Sequence, residues 1–212
     1  MQTMKVEIWS DVMCPFCYIG KRRFEKAMKE HGIVGAEIIY RSFLLDPELA
    51  TDPNKNVTQH LAEKKEISLE EAQKMNDYVT KMAAEEGLNY DLENAVVANS
   101  RNAHRLLHFA KSKGKQVEFK EALLKAYFEE GKNIDKMDIL KSIGASVGLL
   151  EEEIGKVYNS ASFTEEVIQD IQRAQQIGVR GVPFFVFNEK FSLSGAQPLE
   201  TFKQAIQKIK EG

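Results

Sequence analysis

The hydrophobic period of this chain changes twice along its length, and this change constrains the fold more than any other feature of the sequence. Segments that alternate in polarity, as strands do, are concentrated in the first and last parts of the chain. The first part predicts a strand, a helix and a strand, at residues 4–11, 14–31 and 36–45. The last part predicts a helix, two strands and a helix, at residues 162–178, 181–188, 190–195 and 197–212. We therefore expect an α/β fold with the order β-α-β followed, much later, by α-β-β-α.

The middle of the chain has a different character. Residues 57–160 contain no proline and almost no strand signal. Six helices are predicted there, at residues 57–66, 68–86, 94–113, 116–130, 135–147 and 150–160. In the third of these, small and apolar residues recur at the i, i+3, i+4, i+7 spacing of a buried helix face. A helical block is therefore expected to divide the α/β unit into two parts.

Composition and charge restrict the partners that the chain can have. The formal net charge of -3 argues against nucleic acid as the main partner, because phosphate binding depends on clustered Lys and Arg. No apolar run reaches the length of a membrane span, and the first residues lack the basic start and apolar stretch of a signal peptide. We therefore expect a cytoplasmic protein with neither a membrane nor a nucleic-acid partner.

Both cysteines of the chain lie in the sequence Cys14-Pro15-Phe16-Cys17, between the first predicted strand and the first helix. Unpaired N–H groups at a helix N-terminus stabilise a thiolate, so a lowered pKa is expected for Cys14. Pro15 suits the first helical turn because its missing N–H would be unpaired there. Cys17 lies one turn further on, where Phe16 and Tyr18 are expected to shield it. The pattern predicts a redox pair in which Cys14 attacks a disulfide and Cys17 resolves the mixed disulfide.

A metal site and two unrelated buried thiols are the alternatives to a redox pair. A zinc site usually takes four ligands, and the chain has only two cysteines. His104 and His108 have the internal spacing of a zinc pattern, but they follow Cys17 at far too great a distance. No metal is therefore expected, and the two histidines are expected chiefly to pack beside the apolar face of their helix.

Pro183 and Glu7 are two further candidate site residues. Pro183 follows Gly181 and Val182 and precedes a predicted strand. The sequence alone fits equally a cis proline that exposes the backbone of Val182 toward Cys14 and a trans proline that starts a strand. Glu7 lies in the middle of the first strand. If it points under the helix, it is a buried carboxylate with a raised pKa that can move a proton during exchange; otherwise it is an exposed strand charge.

Three features together resemble the DsbA-like thioredoxin superfamily: the segment SDVMCPFCYIGKRRFEKA at residues 10–27, the Val182-Pro183 step, and the helical block within the α/β unit. The chain is most similar to the cytoplasmic FrnE-like branch of dithiol-disulfide oxidoreductases, for which NSRNAHRLLHFA at residues 99–110 is also typical. The resemblance covers nearly the whole chain. It implies a thioredoxin fold formed by residues 1–56 and 161–212, with an α-helical insertion domain at residues 57–160.

The resemblance also implies a role for each candidate residue. Cys14 is then the exposed nucleophile, Cys17 the resolving thiol and Pro183 the cis-proline. Glu7 corresponds roughly to the buried glutamate of DsbA, but one extra residue separates it from the motif. Some FrnE-like members carry a second cysteine pair near the C-terminus, and this chain has none.

Disulfide- or thiol-containing polypeptides are the substrates that the resemblance implies, with no metal or organic cofactor. Glutathione or another thiol reductant is a candidate co-substrate, and the protein is expected to be a monomer or a homodimer. The helical insert is expected to form the second wall of the cleft. The expected substrate-contacting residues are Pro15, Phe16, Gly181, Val182 and His104.

Two other functions must be weighed against disulfide exchange. Kappa-class glutathione transferases and 2-hydroxychromene-2-carboxylate isomerases share this architecture, but they use a serine at the nucleophile position and act on small molecules with glutathione. Cys14 and Cys17 argue against that chemistry, because a hydroxyl cannot form a disulfide and a resolving thiol has no use without one. A chaperone-like or zinc-holding module would instead act independently of Cys14.

Overall fold

The computed structural model describes residues 3–211, and these residues form six strands. The strands are β1 (Lys5–Ser10), β2 (Glu37–Ser42), β3 (Asp52–Asn56), β4 (Val96–Val97), β5 (Phe184–Phe187) and β6 (Phe191–Ser194). Four of them form a mixed sheet in the order β2-β1-β5-β6, in which β1 is parallel to β2 and antiparallel to β5. This is the topology of the thioredoxin fold, and it confirms the predicted order of elements.

Nine helices are present in the described part of the chain. They are α1 (Pro15–Glu30), α2 (Val57–Lys65), α3 (Leu69–Glu85), α4 (Arg101–Ser112), α5 (Gln116–Phe128), α6 (Met137–Ser146), α7 (Glu151–Tyr158), α8 (Thr164–Gln176) and α9 (Leu199–Glu211). Most bounds agree with the sequence within a few residues. The glycines that separate the predicted helices, such as Gly87, Gly114 and Gly148, have positive φ and end the helices that precede them.

The central strand β1 is covered on both faces of the sheet. On one face Ile8 packs against Phe24 of α1 and Phe202 of α9. On the other face Trp9 is buried against α8, and its Nε1–H donates to the backbone oxygen of Asp170 at 2.9 Å. The two faces of β1 are therefore covered by different helices. A β1 side chain contacts α1 and α9 on one face and α8 on the other.

The helical segment from α2 to α7 forms one apolar core together with the first turns of α1. Phe119 of α5 and Leu106 of α4 share this core with Ile19 of α1. Helix α5 also covers the outer edge of β2. The side chain of Gln116 accepts from the backbone N–H of Tyr40 at 3.0 Å and donates to its carbonyl oxygen at 2.9 Å. The helical segment is thereby held against the edge of the sheet by a buried amide.

Two predictions about the middle of the chain are wrong in detail. Residues 52–56 form a strand that pairs with residues 96–97, although the sequence shows no strand at either place. The helix predicted from residue 94 begins only at Arg101, because residues 96–97 are in this small two-stranded sheet. The division into a thioredoxin domain and an insertion domain stays a prediction.

We expect Gln116→Ala to lower the free energy of unfolding by about 2 kcal/mol. The truncation leaves the buried N–H and carbonyl groups of Tyr40 without their partner, and an unsatisfied buried group costs about 1–3 kcal/mol. Urea unfolding followed by circular dichroism measures the loss. Gln172→Ala, at an exposed position of α8, is the control and should change stability by less than about 0.5 kcal/mol. Equal effects of the two substitutions would contradict the docking role of Gln116.

Candidate active site

The two cysteines lie where β1 gives way to α1, as the sequence predicts. Cys14 is the N-cap of α1, with φ -87° and ψ 111°, and Pro15 occupies the first helical turn. The backbone N–H of Cys17 donates to the carbonyl oxygen of Cys14 at 3.0 Å. Because three residues on a helix cover almost one turn, both thiols lie on the same side of α1.

Both thiols are reduced and both are buried. Cys14 is 4% exposed and Cys17 is 2% exposed. The Cys14 thiol donates a hydrogen bond to the carbonyl oxygen of Val182 at 3.4 Å. The expectation of an exposed Cys14 is therefore corrected: the segment before β5 covers its sulfur. The peptide bond between Val182 and Pro183 is cis, which is what the resemblance implies.

The two thiols shift each other's pKa in opposite directions. Hydrogen bonding with Cys17, together with burial, raises the pKa of Cys14 well above its usual range. Burial also raises the pKa of Cys17, but the hydrogen bond from Cys14 and the positive charge of Lys120 outweigh it, so the pKa of Cys17 is lowered. The lowered pKa that the sequence predicts for Cys14 stays a prediction, because the two thiols share a hydrogen bond and titrate as a pair.

Pro183 packs directly on α1 at a position where only glycine fits. A Cβ atom added to Gly20 would lie 2.9 Å from Cγ of Pro183 and 3.4 Å from Cα of Ala196. Gly20 therefore allows the cis-proline segment to approach the helix that carries both cysteines. This explains the glycine of the Cys-Tyr-Ile-Gly sequence in terms of packing.

Glu7 does not lie under α1, which corrects the prediction of a carboxylate beneath the cysteines. It alternates along β1 with residues that face α1, so its side chain is on the opposite face, toward α8. There it accepts a hydrogen bond from Nη2 of Arg41 at 2.5 Å, and Arg41 also bonds Oδ1 of Asp170 at 3.0 Å. Glu7 is part of an ion-pair network that joins the sheet to α8.

His104 is 1% exposed, so it does not line the surface of a substrate cleft as predicted. Its Nε2 lies 3.2 Å from Oδ1 of Asp11. Burial lowers the pKa of His104, and the neutral ring then donates its Nε2–H to this carboxylate. His108 is also internal, with Nε2 3.0 Å from Oδ2 of Asp170. Both histidines join α4 to neighbouring elements by buried hydrogen bonds.

Two charged residues that the sequence did not reveal lie close to the cysteine pair. Asp11 is fully buried in the loop between β1 and α1, where it accepts from the backbone N–H of Leu45 at 2.8 Å. Lys120 of α5 is fully buried as well. An Asp directly after a strand and before the Cys-x-x-Cys sequence was a signal that could have been noticed. Lys120 carries no such signal, since a lysine in a helix usually faces solvent.

The remaining predicted residues lie on the first turn of α1 and on the segment before β5. Phe16 is 38% exposed and is the large apolar side chain at the surface of this helix turn. Gly181 and Val182 are half-buried on the facing segment. Pro15 is half-buried, and its carbonyl oxygen accepts a hydrogen bond from the hydroxyl of Tyr90 at 2.6 Å. The helical segment thus contacts the first turn of α1 directly.

In residues 3–211 no group of three or more His, Cys, Asp or Glu side chains is arranged to hold a metal ion. Within the same residues, no helix is both long enough and apolar enough to cross a membrane.

Residues 5–207 match the family described as DSBA-like thioredoxin domain, so the chain belongs to this family. A crystal structure of a probable DsbA oxidoreductase from Streptomyces coelicolor is 38% identical, covers 97% of this chain and 89% of its own, and superimposes with a TM-score of 0.91. Uncharacterized protein YwbO of Bacillus subtilis is 27% identical, with 96% of each chain covered. The DsbA-like oxidoreductase fold therefore extends over nearly the whole chain.

More distant structures share the fold with different stated activities. The cytosolic disulfide reductase DsbM of Pseudomonas aeruginosa is 14% identical with a TM-score of 0.69, and 98% of each chain is covered. A 2-hydroxychromene-2-carboxylate isomerase is 15% identical with a TM-score of 0.71, covering 97% of this chain and 95% of its own. At such identities the similarity concerns the fold alone.

We expect Gly20→Ala to destabilise the protein although alanine is the better helix former. Alanine gains about 1 kcal/mol in helix propensity, whereas overpacking a tight contact costs about 1–3 kcal/mol. A net loss of about 1 kcal/mol is expected in urea unfolding. Gly155→Ala in α7 is the matched control, because its new Cβ meets only the flexible end of Lys141. A stabilisation by Gly20→Ala equal to that of Gly155→Ala would refute the tight contact with Pro183.

Proposed function

We propose that this protein is a thiol-disulfide oxidoreductase that exchanges disulfides with polypeptide substrates through Cys14 and Cys17. The observation that carries the proposal is the position of Cys14. It caps α1, its thiol contacts the carbonyl oxygen of Val182, and a second thiol follows one turn later. Such a pair can close a disulfide without moving the backbone far, because both sulfurs lie on one side of the helix.

The exchange proceeds in two balanced steps. Cys14, as a thiolate, attacks one sulfur of a substrate disulfide, and the other substrate sulfur leaves and takes up a proton. Cys17 then loses its proton and attacks the sulfur of Cys14, which releases the second substrate thiol and leaves an intramolecular disulfide. The substrate disulfide gains two electrons and two protons, and the protein dithiol loses them. Run in reverse, the same steps insert a disulfide into a substrate dithiol.

An extended polypeptide is the proposed substrate because of what surrounds Cys14. The segment Gly181-Val182-Pro183 precedes β5 and lies beside the cysteine. The carbonyl oxygen of Pro183 is bonded to the N–H of Gly195, so a second strand would pair with the main chain of Gly181 and Val182. Phe16, exposed on the first turn of α1, offers an apolar contact on the opposite side. A substrate chain held between these two surfaces would present its disulfide to Cys14. His104 is left out of this proposal because it is buried.

A glutathione-dependent isomerase or transferase is the alternative, and the shared fold of a 2-hydroxychromene-2-carboxylate isomerase is its support. Disulfide exchange is favoured because this chain has a cysteine at the nucleophile position and a second cysteine one turn away. Glutathione remains a candidate reductant of the disulfide. We also infer a cytoplasmic location, in agreement with the name of the cytosolic reductase DsbM, whose fold this chain shares.

The two cysteine substitutions should fail at different steps. Cys14→Ser is expected to reduce exchange with a disulfide-containing peptide to the uncatalysed rate, because the hydroxyl cannot form the mixed disulfide. Cys17→Ser is expected to perform one attack and then accumulate a mixed disulfide, since no thiol remains to release it. Mass spectrometry of the unreduced protein detects the added peptide thiol.

Each substitution is the control for the other, because both replace a buried thiol by a hydroxyl. Persistent exchange by Cys14→Ser would rule out the assignment. Full turnover by Cys17→Ala, together with tight glutathione binding, would favour the isomerase or transferase alternative.

A further inference from the structure

Cys14 lies between two buried hydrogen bonds that join its neighbours in the chain to the helical segment from α2 to α7. Before it, the carboxylate of Asp11 is bonded to Nε2 of His104 on α4 at 3.2 Å. After it, the carbonyl oxygen of Pro15 accepts from the hydroxyl of Tyr90, in the loop that follows α3, at 2.6 Å. The nucleophile of the proposed reaction is therefore anchored to the helical segment on both sides.

Asp11 organises the turn that leads into Cys14. Its Oδ1 accepts from the backbone N–H of Met13 at 3.3 Å, and its carbonyl oxygen accepts from the N–H of Cys14 at 3.4 Å. Its Oδ2 accepts from the N–H of Leu45, beyond β2, at 2.8 Å. The side chain is fully buried, so these partners and His104 take the place of water. The conformation of the turn before Cys14 is thereby tied to the position of one carboxylate.

Tyr90 is fixed at the end of α5 before it reaches the active-site helix. Its ring centroid lies 4.8 Å from that of Phe128, with an interplanar angle of 21°. The next residue, Asp91, donates its backbone N–H to the carbonyl oxygen of Phe128 at 2.7 Å. A buried tyrosine that is packed in this way holds its hydroxyl in one place. The bond to Pro15 therefore fixes the first turn of α1 relative to the helical segment.

We propose that Asp11 and Tyr90 are positioning residues for Cys14. Through them, the helical segment holds the nucleophile in a fixed place beside the main chain of Gly181 and Val182. The inference rests on the proposed disulfide exchange. Its basis is the pair of hydrogen bonds that flank Cys14, together with the 3.4 Å contact between the Cys14 thiol and the carbonyl oxygen of Val182. Both residues act through the main chain next to Cys14 and do not react themselves.

A fixed nucleophile matters for a polypeptide substrate and not for a small disulfide. An extended chain that is held on Gly181 and Val182 presents its sulfur at one place, so a displaced Cys14 thiolate attacks it more slowly. A small disulfide is not held there and adopts whatever approach the thiolate offers. The ratio of the two rate constants therefore measures the position of Cys14, whereas a change in thiolate reactivity alters both rate constants alike.

The step to be measured is the first attack, in a Cys17→Ser background that stops the reaction at the mixed disulfide. The Cys14 thiolate forms a bond to one sulfur of the disulfide, the sulfur–sulfur bond breaks, and the other sulfur leaves as a thiolate and takes up a proton. Mass spectrometry follows the adduct on Cys14. The two substrates are an extended peptide with a mixed disulfide at its centre and hydroxyethyl disulfide.

Tyr90→Phe tests the contact after Cys14, because phenylalanine keeps the ring and removes only the hydroxyl. We expect attack on the peptide to become about fivefold slower, as the loss of one hydrogen bond allows, and attack on hydroxyethyl disulfide to stay unchanged. Tyr158→Phe is the matched control. Its hydroxyl also donates to a backbone oxygen, that of Asp135 at 2.9 Å, and its loss should change neither rate constant.

Asp11→Asn tests the contact before Cys14. The amide keeps the size of the side chain, but its NH2 group replaces one acceptor oxygen. We expect the peptide rate constant to fall by about fivefold relative to the small-disulfide rate constant. The lost charge changes how readily Cys14 ionises, but this effect applies to both substrates and cancels in the ratio.

Asp170→Asn is the control for Asp11→Asn, because Asp170 is an equally buried carboxylate with the same kinds of partner. It is bonded to His108 of α4 at 3.0 Å and accepts from the backbone N–H of Ser42 at 2.8 Å. This control should lower the melting temperature as Asp11→Asn does and leave the ratio of rate constants unchanged. A merely structural role of Asp11 would give the same result in both variants.

Hydrogen–deuterium exchange gives a second readout that does not depend on the reaction. The backbone N–H groups of Met13 and Cys14 donate to Asp11, and the first turn of α1 is held by Tyr90. We expect faster amide exchange at residues 12–17 in Asp11→Asn and in Tyr90→Phe. The controls Asp170→Asn and Tyr158→Phe should exchange there as the wild type does.

A ratio of rate constants that stays at the wild-type value in both variants would overturn the inference, and so would an equal fall of both rate constants. If the Cys17→Ser parent attacks the small disulfide and not the peptide, the polypeptide substrate is wrong, and with it the need for a fixed nucleophile. If the parent attacks neither disulfide while amide exchange at residues 12–17 still rises in both variants, the assigned reaction fails and the anchoring of Cys14 stands.

Discussion

The antiparallel pairing of β1 with β5 determines what lies beside the cysteines. Trp9, near the end of β1, is opposite Phe184, the first residue of β5. The segment that leaves β1 and the segment that enters β5 must therefore meet at the same end of the sheet. Cys14 is four residues beyond β1, and Pro183 is the residue before β5, so the register alone brings them together. The contact of the Cys14 thiol with Val182 and the close approach of Pro183 to α1 both depend on this pairing.

Most of the buried charged side chains described above form a hydrogen bond or an ion pair with a neighbouring side chain. Asp11 is bonded to His104, and Asp170 is bonded to His108, so that α4 is tied both to the active-site loop and to α8. Such pairs offset the desolvation of each charge and fix the position of the helix that carries them. Lys120 differs because its Nζ lies 5.7 Å from the ring centroid of Tyr40 and has no hydrogen-bond partner among residues 3–211.

The sequence predicted the order of strands and helices and the cysteines at the start of α1, because local periodicity and a short motif determine them. The cis peptide bond before Pro183 was implied only by the family resemblance. It failed where tertiary contacts decide. Every residue of β1 after Lys5 is buried. The alternation of polar and apolar residues therefore could not show which helix covers the face of the sheet on which Glu7 lies. Strand β4 has two residues, which is too few to show a period. Lys120 is a charged residue that is fully buried. Its burial could not be predicted from the hydrophobic pattern, which places charged residues at the surface.

Helix α5 belongs to the segment between the two parts of the sheet, yet its Glu121 is hydrogen bonded to Tyr18 and Lys21 of α1, the helix that begins beside Cys14. The surroundings of the Cys-Pro-Phe-Cys sequence are therefore formed in part by a helix that is distant along the chain. Transplanting residues 10–20 into another protein of the same fold would transfer the two cysteines and their spacing, but not the helix that packs beside them.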